Sequence, residues 1–116
     1  MSENNLDIKH LPHDGFFYLN MAEKSFQKFK GNFTESQAQK TIQYNNYSIA
    51  LLGNYDFFVA KAYRRIGEIY EEMGDSKKAI ENYKLALKHN PKVGIKNKLK
   101  ILDPNNELYK SRVSSQ

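Results

Sequence analysis

Ala60 to Pro91 reads AKAYRRIGEIYEEMGDSKKAIENYKLALKHNP, and this stretch decides the fold. Tyr63, Ile66 and Tyr70 fall on one helical stripe, with Ile69 and Met73 beside it. Gly67 lies inside that helix, where glycine costs about 1 kcal/mol relative to alanine. A helix accepts such a cost when a side chain there would block a neighbour, and Ala79 on the next helix is the expected neighbour. Gly74 supplies a left-handed turn residue, and Asp75 or Ser76 can cap the amides of the second helix. Ala79, Ile80, Tyr83, Ala86 and Leu87 line that second helix at i, i+1, i+4, i+7 and i+8. Asn90 and Pro91 end it, because proline cannot continue the hydrogen-bond ladder.

Tyr63, Ile66, Gly67 and Tyr70, then Ala79, Tyr83, Ala86 and Pro91, stand at the spacing W-x₂-L-G-x₂-Y…A-x₃-F…P. The segment from about 60 to 93 thus resembles the tetratricopeptide-repeat family, with tyrosine in place of the first tryptophan. The resemblance implies an all-α fold, a right-handed superhelical array of antiparallel helix hairpins that serves as a binding scaffold. It also implies that the first helix of each pair lines a concave groove. On this chain that face presents Lys61, Arg64, Arg65, Glu68 and Glu72 as candidate partner-binding residues. Lys61 and Arg65 resemble the last two members of the carboxylate clamp by which some members hold an acidic chain terminus. The earlier helix offers Leu19, Asn20 and Glu23 where that clamp needs an asparagine and a lysine, and Glu23 would repel an anion. The expectation is therefore a peptide or helix of a partner protein docked in the groove.

Outward from the repeat, residues 1–13 read as a flexible tail and 14–103 as one helical domain. Asp14 can cap a first helix over Gly15 to Lys30, whose stripe is Phe16, Leu19, Ala22, Phe26 and Phe29. Gly31-Asn32 is a turn, and Thr34 with Gln37 forms a capping box. A second helix runs to about Leu52, with Ala38, Ile42, Ile49 and Leu52 on one face. Gly53-Asn54 breaks it, and Asp56 is a candidate cap for the third. The pair over 14–53 looks like an altered repeat, the pair over 54–91 is the matched one, and 92–102 is a capping helix with Ile95, Leu99 and Leu102 inward. Residues 104–116 read as a second flexible tail. Repeat arrays need about three units to bury a continuous core, so the aromatic front helices or a second copy must complete it. A homodimer through exposed Tyr and Phe is one expectation.

With no cysteine the chain has neither disulfide framework nor thiolate chemistry. No apolar run approaches the roughly 20 residues that span a bilayer, and the polar start lacks a signal region, so the expected location is cytoplasmic with no membrane role. His10 and His13 form H-x-x-H, but two histidines beside Asp7 and Asp14 do not define a metal site. Glu68, Glu71 and Glu72 have Lys61, Arg64 and Arg65 one turn away and read as a charged helix face. His89 in the last turn of its helix suits the helix dipole. No catalytic triad, phosphate-cradling loop, metal or cofactor motif is present, so the reading is a non-enzymatic interaction module without a cofactor. The formal charge is +5, concentrated late in Lys92, Lys96, Lys98, Lys100, Lys110 and Arg112. Nucleic-acid association through that basic end is an alternative, disfavoured because aromatic interleaving is missing. A small self-associating regulatory or immunity-type protein is another.

Overall fold

The structure, a computed structural model, describes residues 8–104. The order is a 3-10 turn at Ile8–His10, then α1 (Gly15–Phe29), α2 (Glu35–Leu51), α3 (Asp56–Glu72), α4 (Ser76–His89) and α5 (Lys96–Leu102). Five α-helices and no strand occur among the described residues, so the chain is an all-α helical array. The segments 1–7 and 105–116, which hold most of both expected tails, lie outside the described residues.

Local chemistry starts each helix. Asp14 accepts from the Phe17 amide at 2.9 Å and caps α1. The Thr34 hydroxyl accepts from the Gln37 amide while the Gln37 side chain accepts from the Thr34 amide, closing the box on α2. Asp75 caps α4 by accepting from the Lys78 amide at 3.1 Å. Gly74, at φ 82°, makes the turn between α3 and α4 that a side chain would strain. The third helix departs from expectation. Tyr55 holds its cap position without a side-chain bond, and Asp56 instead pairs with His89 at 2.8 Å. The fifth helix starts at Lys96 rather than near 92, because Gly94 takes φ 87°, outside helical geometry.

Neighbouring helices pack in chain order: α1 on α2, α2 on α3, α3 on α4 and α4 on α5. Contacts also join α1 to α3 side by side: Phe16 meets Phe58, Glu23 meets Arg65, and the Gly31 amide meets Glu72. The Val93 carbonyl and Lys98, around the start of α5, reach α3 at Arg64 and Glu71. α3 is thereby the central element, with α1 and α2 packed on one side of it and α4 and α5 on the other. The main core gathers Ala60, Ala79, Tyr83, Ala86, Val93, Ile95 and Leu99, so α3, α4 and α5 share one interior. A second cluster places Phe26, Ala38 and Ile69 where α1, α2 and α3 meet.

The close crossing of α3 and α4 is real, but its occupant differs from the sequence expectation. A Cβ built on Gly67 would stand 2.6 Å from Cε1 and 2.7 Å from Cδ1 of Tyr83. The glycine therefore makes room for the fully buried Tyr83 ring, not for Ala79. The expected inner stripe of α1 also shifts. Tyr18 is buried with Ala22 and Phe26, whereas Phe16 is 44% exposed. On α2 the buried face is Ala38, Thr41, Asn45 and Ser48, while Ile42 and Ile49 are half-buried. Small polar side chains hold this face by bonding locally. The Thr41 hydroxyl donates to the Gln37 carbonyl at 2.8 Å, leaving Ser25 of α1 to donate to Thr41 across 2.5 Å. The Asn45 amide donates to the Thr41 carbonyl at 3.1 Å, and Ser48 donates to the Asn45 carbonyl at 2.8 Å.

Candidate functional site

α1 and α3 meet along a seam tied by Phe16–Phe58 and Glu23–Arg65, and the side chains along this seam are those the sequence reading placed in a groove. Its α3 wall is a stripe of Phe57, Lys61, Arg65, Glu68 and Glu72, which helical spacing stacks one above another. Its α1 wall carries Phe16, Asn20, Glu23 and Gln27 at the same kind of spacing. All five sequence-chosen groove residues sit on α3, and the structure adds partners for four of them.

Arg65 is the hub. Its Nε and Nη2 donate to the two oxygens of Glu23 at 2.9 Å each, a bidentate fork across the groove. Its Nη1 donates to Glu68 at 2.7 Å, and the guanidinium lies 4.4 Å from the Phe26 ring centre. These bonds hold Arg65 protonated, raising its pKa above the ordinary arginine value through the Glu23 bond first, against the opposing effect of burial. Burial alone would raise the Glu23 pKa. Hydrogen bonds from Arg65 and Gln27, with the charges of Arg65 and Lys61, instead hold it below the ordinary carboxylate value. Arg64 bonds Glu68 at 3.3 Å and donates to the Val93 carbonyl at 3.3 Å. Glu72 accepts from the Gly31 amide with both oxygens at 2.9 Å. Glu23, read from sequence as repelling an anion, does more than repel. It occupies both guanidinium positions that a ligand carboxylate would use.

Lys61 differs from its neighbours. It is exposed, makes no ion pair among the described residues, and stands 6.0 Å from the ring centre of Phe57. Next to it the groove opens onto aromatic rings. Phe16 packs edge-on against Phe58 at 5.1 Å and Tyr55 at 5.9 Å, and Phe57 packs edge-on against Phe58 at 5.3 Å. Phe57 is 59% and Tyr55 55% exposed. Sequence reasoning missed this end of the groove because it assigned Phe16 to the core and treated Tyr55 to Phe58 as a helix start. The available signal was three aromatics within four residues, more than one inward face can absorb.

The opposite end is polar. An open pocket of about 560 Å³ lies beside Phe26, Gly31, Glu68, Glu71 and Glu72, with Lys30 and Lys98 at its edges. Glu71 accepts from the Tyr83 hydroxyl at 2.6 Å and pairs with Lys98 at 3.4 Å. Burial first, then the Glu71 bond, raises the Tyr83 pKa and keeps the phenol neutral. His89 is placed by Asp56 and by stacking on Tyr63 at 5.6 Å, and so ties the start of α3 to the end of α4. His13 stacks on Phe17 at 3.7 Å, and no group of three His, Cys, Asp or Glu able to hold a metal ion occurs among the described residues. No helix among them is long and apolar enough to cross a membrane.

Comparison with known proteins adds one finding. The tetratricopeptide repeat family model matches residues 60–93, under a third of the chain. No curated protein and no solved structure matched. The matched segment runs from the second turn of α3 through α4 and the turn after it, and contains Gly67, the Tyr83 ring against it and the charged residues Lys61, Arg64, Arg65, Glu68 and Glu72. Such repeats are generally protein-interaction modules, which makes a protein partner the coarse functional reading. Pattern, helix pairing and glycine contact agree, and residues 60–93 are a tetratricopeptide repeat.

Proposed function

We propose that the chain is a non-enzymatic adaptor that docks a peptide or helical segment of a partner protein in the α1–α3 groove, at its aromatic end. The observation that carries this reading is the contrast between the two parts of the groove. Arg64, Arg65, Glu23, Glu68 and Glu72 are engaged with one another or with backbone. Phe16, Tyr55 and Phe57 present exposed apolar rings beside Lys61, which makes no ion pair among the described residues. Covering such rings gives most of the binding free energy in protein recognition, with aromatic residues prominent among the groups whose truncation weakens complexes. The lysine suits a carboxylate one turn from the partner's apolar anchor.

A comparison of proteins retained from the native cell extract by the wild type, by Phe57→Ser with Lys61→Glu, and by Glu81→Ser on the exposed outer helix tests it. The double variant is expected to lose a partner that the other two retain. Equal retention by all three would remove the groove assignment. Nucleic-acid association through the C-terminal helix is less well supported, since α5 has only seven residues and its Lys98 is paired with Glu71.

A further inference from the structure

A second crevice lies on the flank of α1 opposite the groove. It measures about 340 Å³ and is lined only by α1 and α2. Glu23 and Phe26, which face α3, sit on the other flank of α1, so this crevice looks out from the first edge of the array. Lys24 and Lys28 border it from α1 and Lys40 from α2, while half-buried Met21 and Phe29 supply apolar lining.

Two properties separate it from an ordinary solvated face. No carboxylate lines it, and none of the three lysines makes an ion pair among the described residues, although Lys28 lies 5.3 Å from the Phe29 ring centre. Lys24 and Lys28 stand at i, i+4, where like charges repel on a helix. Ser36, in the first turn of α2, also lines it, whereas Glu35 of the same turn does not. On the groove side, by contrast, arginines and glutamates are mutually satisfied. Three lysines therefore share this hollow with no carboxylate among its lining residues.

We infer that this crevice is a second docking site, for an acidic segment of a partner protein in which an apolar side chain is flanked by carboxylates. The apolar side chain meets Met21 and Phe29, and the carboxylates meet Lys24, Lys28 and Lys40. A protein segment fits better than nucleic acid. Duplex binding draws on a stripe of cations that tracks a phosphate backbone, whereas these three surround one apolar-lined hollow. The assignment rests on the reading of the chain as a protein-docking module, but uses a different face and different residues from the groove.

The test uses the full chain labelled with ¹⁵N and a short synthetic peptide in which Leu and Phe alternate with Glu, beside an isostere with Gln for every Glu. The Glu peptide is expected to shift amides within 21–29 and 36–44 and to bind about tenfold or more tighter than the Gln peptide. Lys24→Glu with Lys40→Glu is expected to remove that preference while the melting temperature stays at the wild-type value, and Glu81→Ser on α4 is expected to leave it unchanged. Equal affinity for the two peptides, or shifts confined to Phe57 and Lys61, would overturn the second site. So would binding of a mixed-sequence DNA duplex, but not of the Glu peptide, through the same lysines. Loss of the extract partner on changing Phe57 and Lys61, with no effect of the lysine reversals, would leave the groove standing and remove only this crevice.

Discussion

A single methyl group added at Gly67 would arrive 2.6 Å from the Tyr83 ring, which is fully buried and cannot swing aside into solvent. Alanine gains about 1 kcal/mol of helix propensity over glycine, while forcing a carbon into a packed crossing costs about 1–3 kcal/mol. The clash wins, so Gly67→Ala is expected to lower the melting temperature and Gly67→Leu to lower it much further. A melt of Gly67→Ala above that of the wild type would refute the crossing. Asn45 poses a different problem. Its Oδ1 is buried with no partner among the described residues, so removing the side chain loses one backbone bond but also an unsatisfied acceptor. Asn45→Ala is expected to change stability by only about 1 kcal/mol, and Asn45→Asp, which buries a carboxylate, to cost several times as much in urea unfolding at neutral pH. The repeat glycine was legible in the sequence because its cost inside a helix is a local fact. Its occupant was not, because both Ala79 and Tyr83 lie on the inward face of α4 and only the crossing geometry selects the ring. Gly15 was passed over for the same reason. A Cβ there would meet Leu52 Cγ at 2.5 Å, a contact 37 positions away that no local pattern announces.

Between elements, the groove is held by ties from α1 to α3. Glu23 and Arg65 form the central one, and since Glu23 is 42% exposed a double-mutant cycle is expected to return only about 0.5–1 kcal/mol. Its pH dependence has a definite sign. The native Glu23 pKa lies below the ordinary value of 4.5, so the tie contributes fully above that value and is lost as pH falls through the lower native one. Glu23→Gln is therefore expected to flatten part of the acid limb of the stability profile, and an unchanged limb would contradict the tie. At the far side, Leu99 of α5 is fully buried in the core shared with α3 and α4. Leu99→Ala is expected to cost about 2–5 kcal/mol in thermal unfolding, whereas a loosely attached helix would lose far less. Helix starts at Asp14, Thr34 and Asp75 were readable because a cap and its amide lie three residues apart. The ties were not, because Glu23 and Arg65, or Asp56 and His89, meet only once the helices have packed. The buried face of α2 escaped notice because Thr41, Asn45 and Ser48 look like surface residues until their local hydrogen bonds are counted.

Across the whole molecule, one matched repeat is completed on one side by the α1–α2 pair and on the other by α5, which shares its core. The core of the matched repeat is thus shared with α5 on one side and with the α1–α2 pair through Phe26, Ala38 and Ile69 on the other. The candidate site was legible in part. Lys61, Arg64, Arg65, Glu68 and Glu72 all lie on α3, and packing ties Arg64, Arg65, Glu68 and Glu72 into ion pairs or backbone bonds, while Lys61 stands beside the Phe57 ring. A groove that binds through aromatic rings should keep its affinity as salt rises, in contrast to the steep loss that counterion release imposes on nucleic-acid binding. The most direct measurement places a photo-crosslinking amino acid at position 57, and in a second protein at position 81, in the native cell. The account predicts a crosslinked protein partner from position 57 that is absent from position 81. The same partner from both positions, or from position 81 alone, would contradict it.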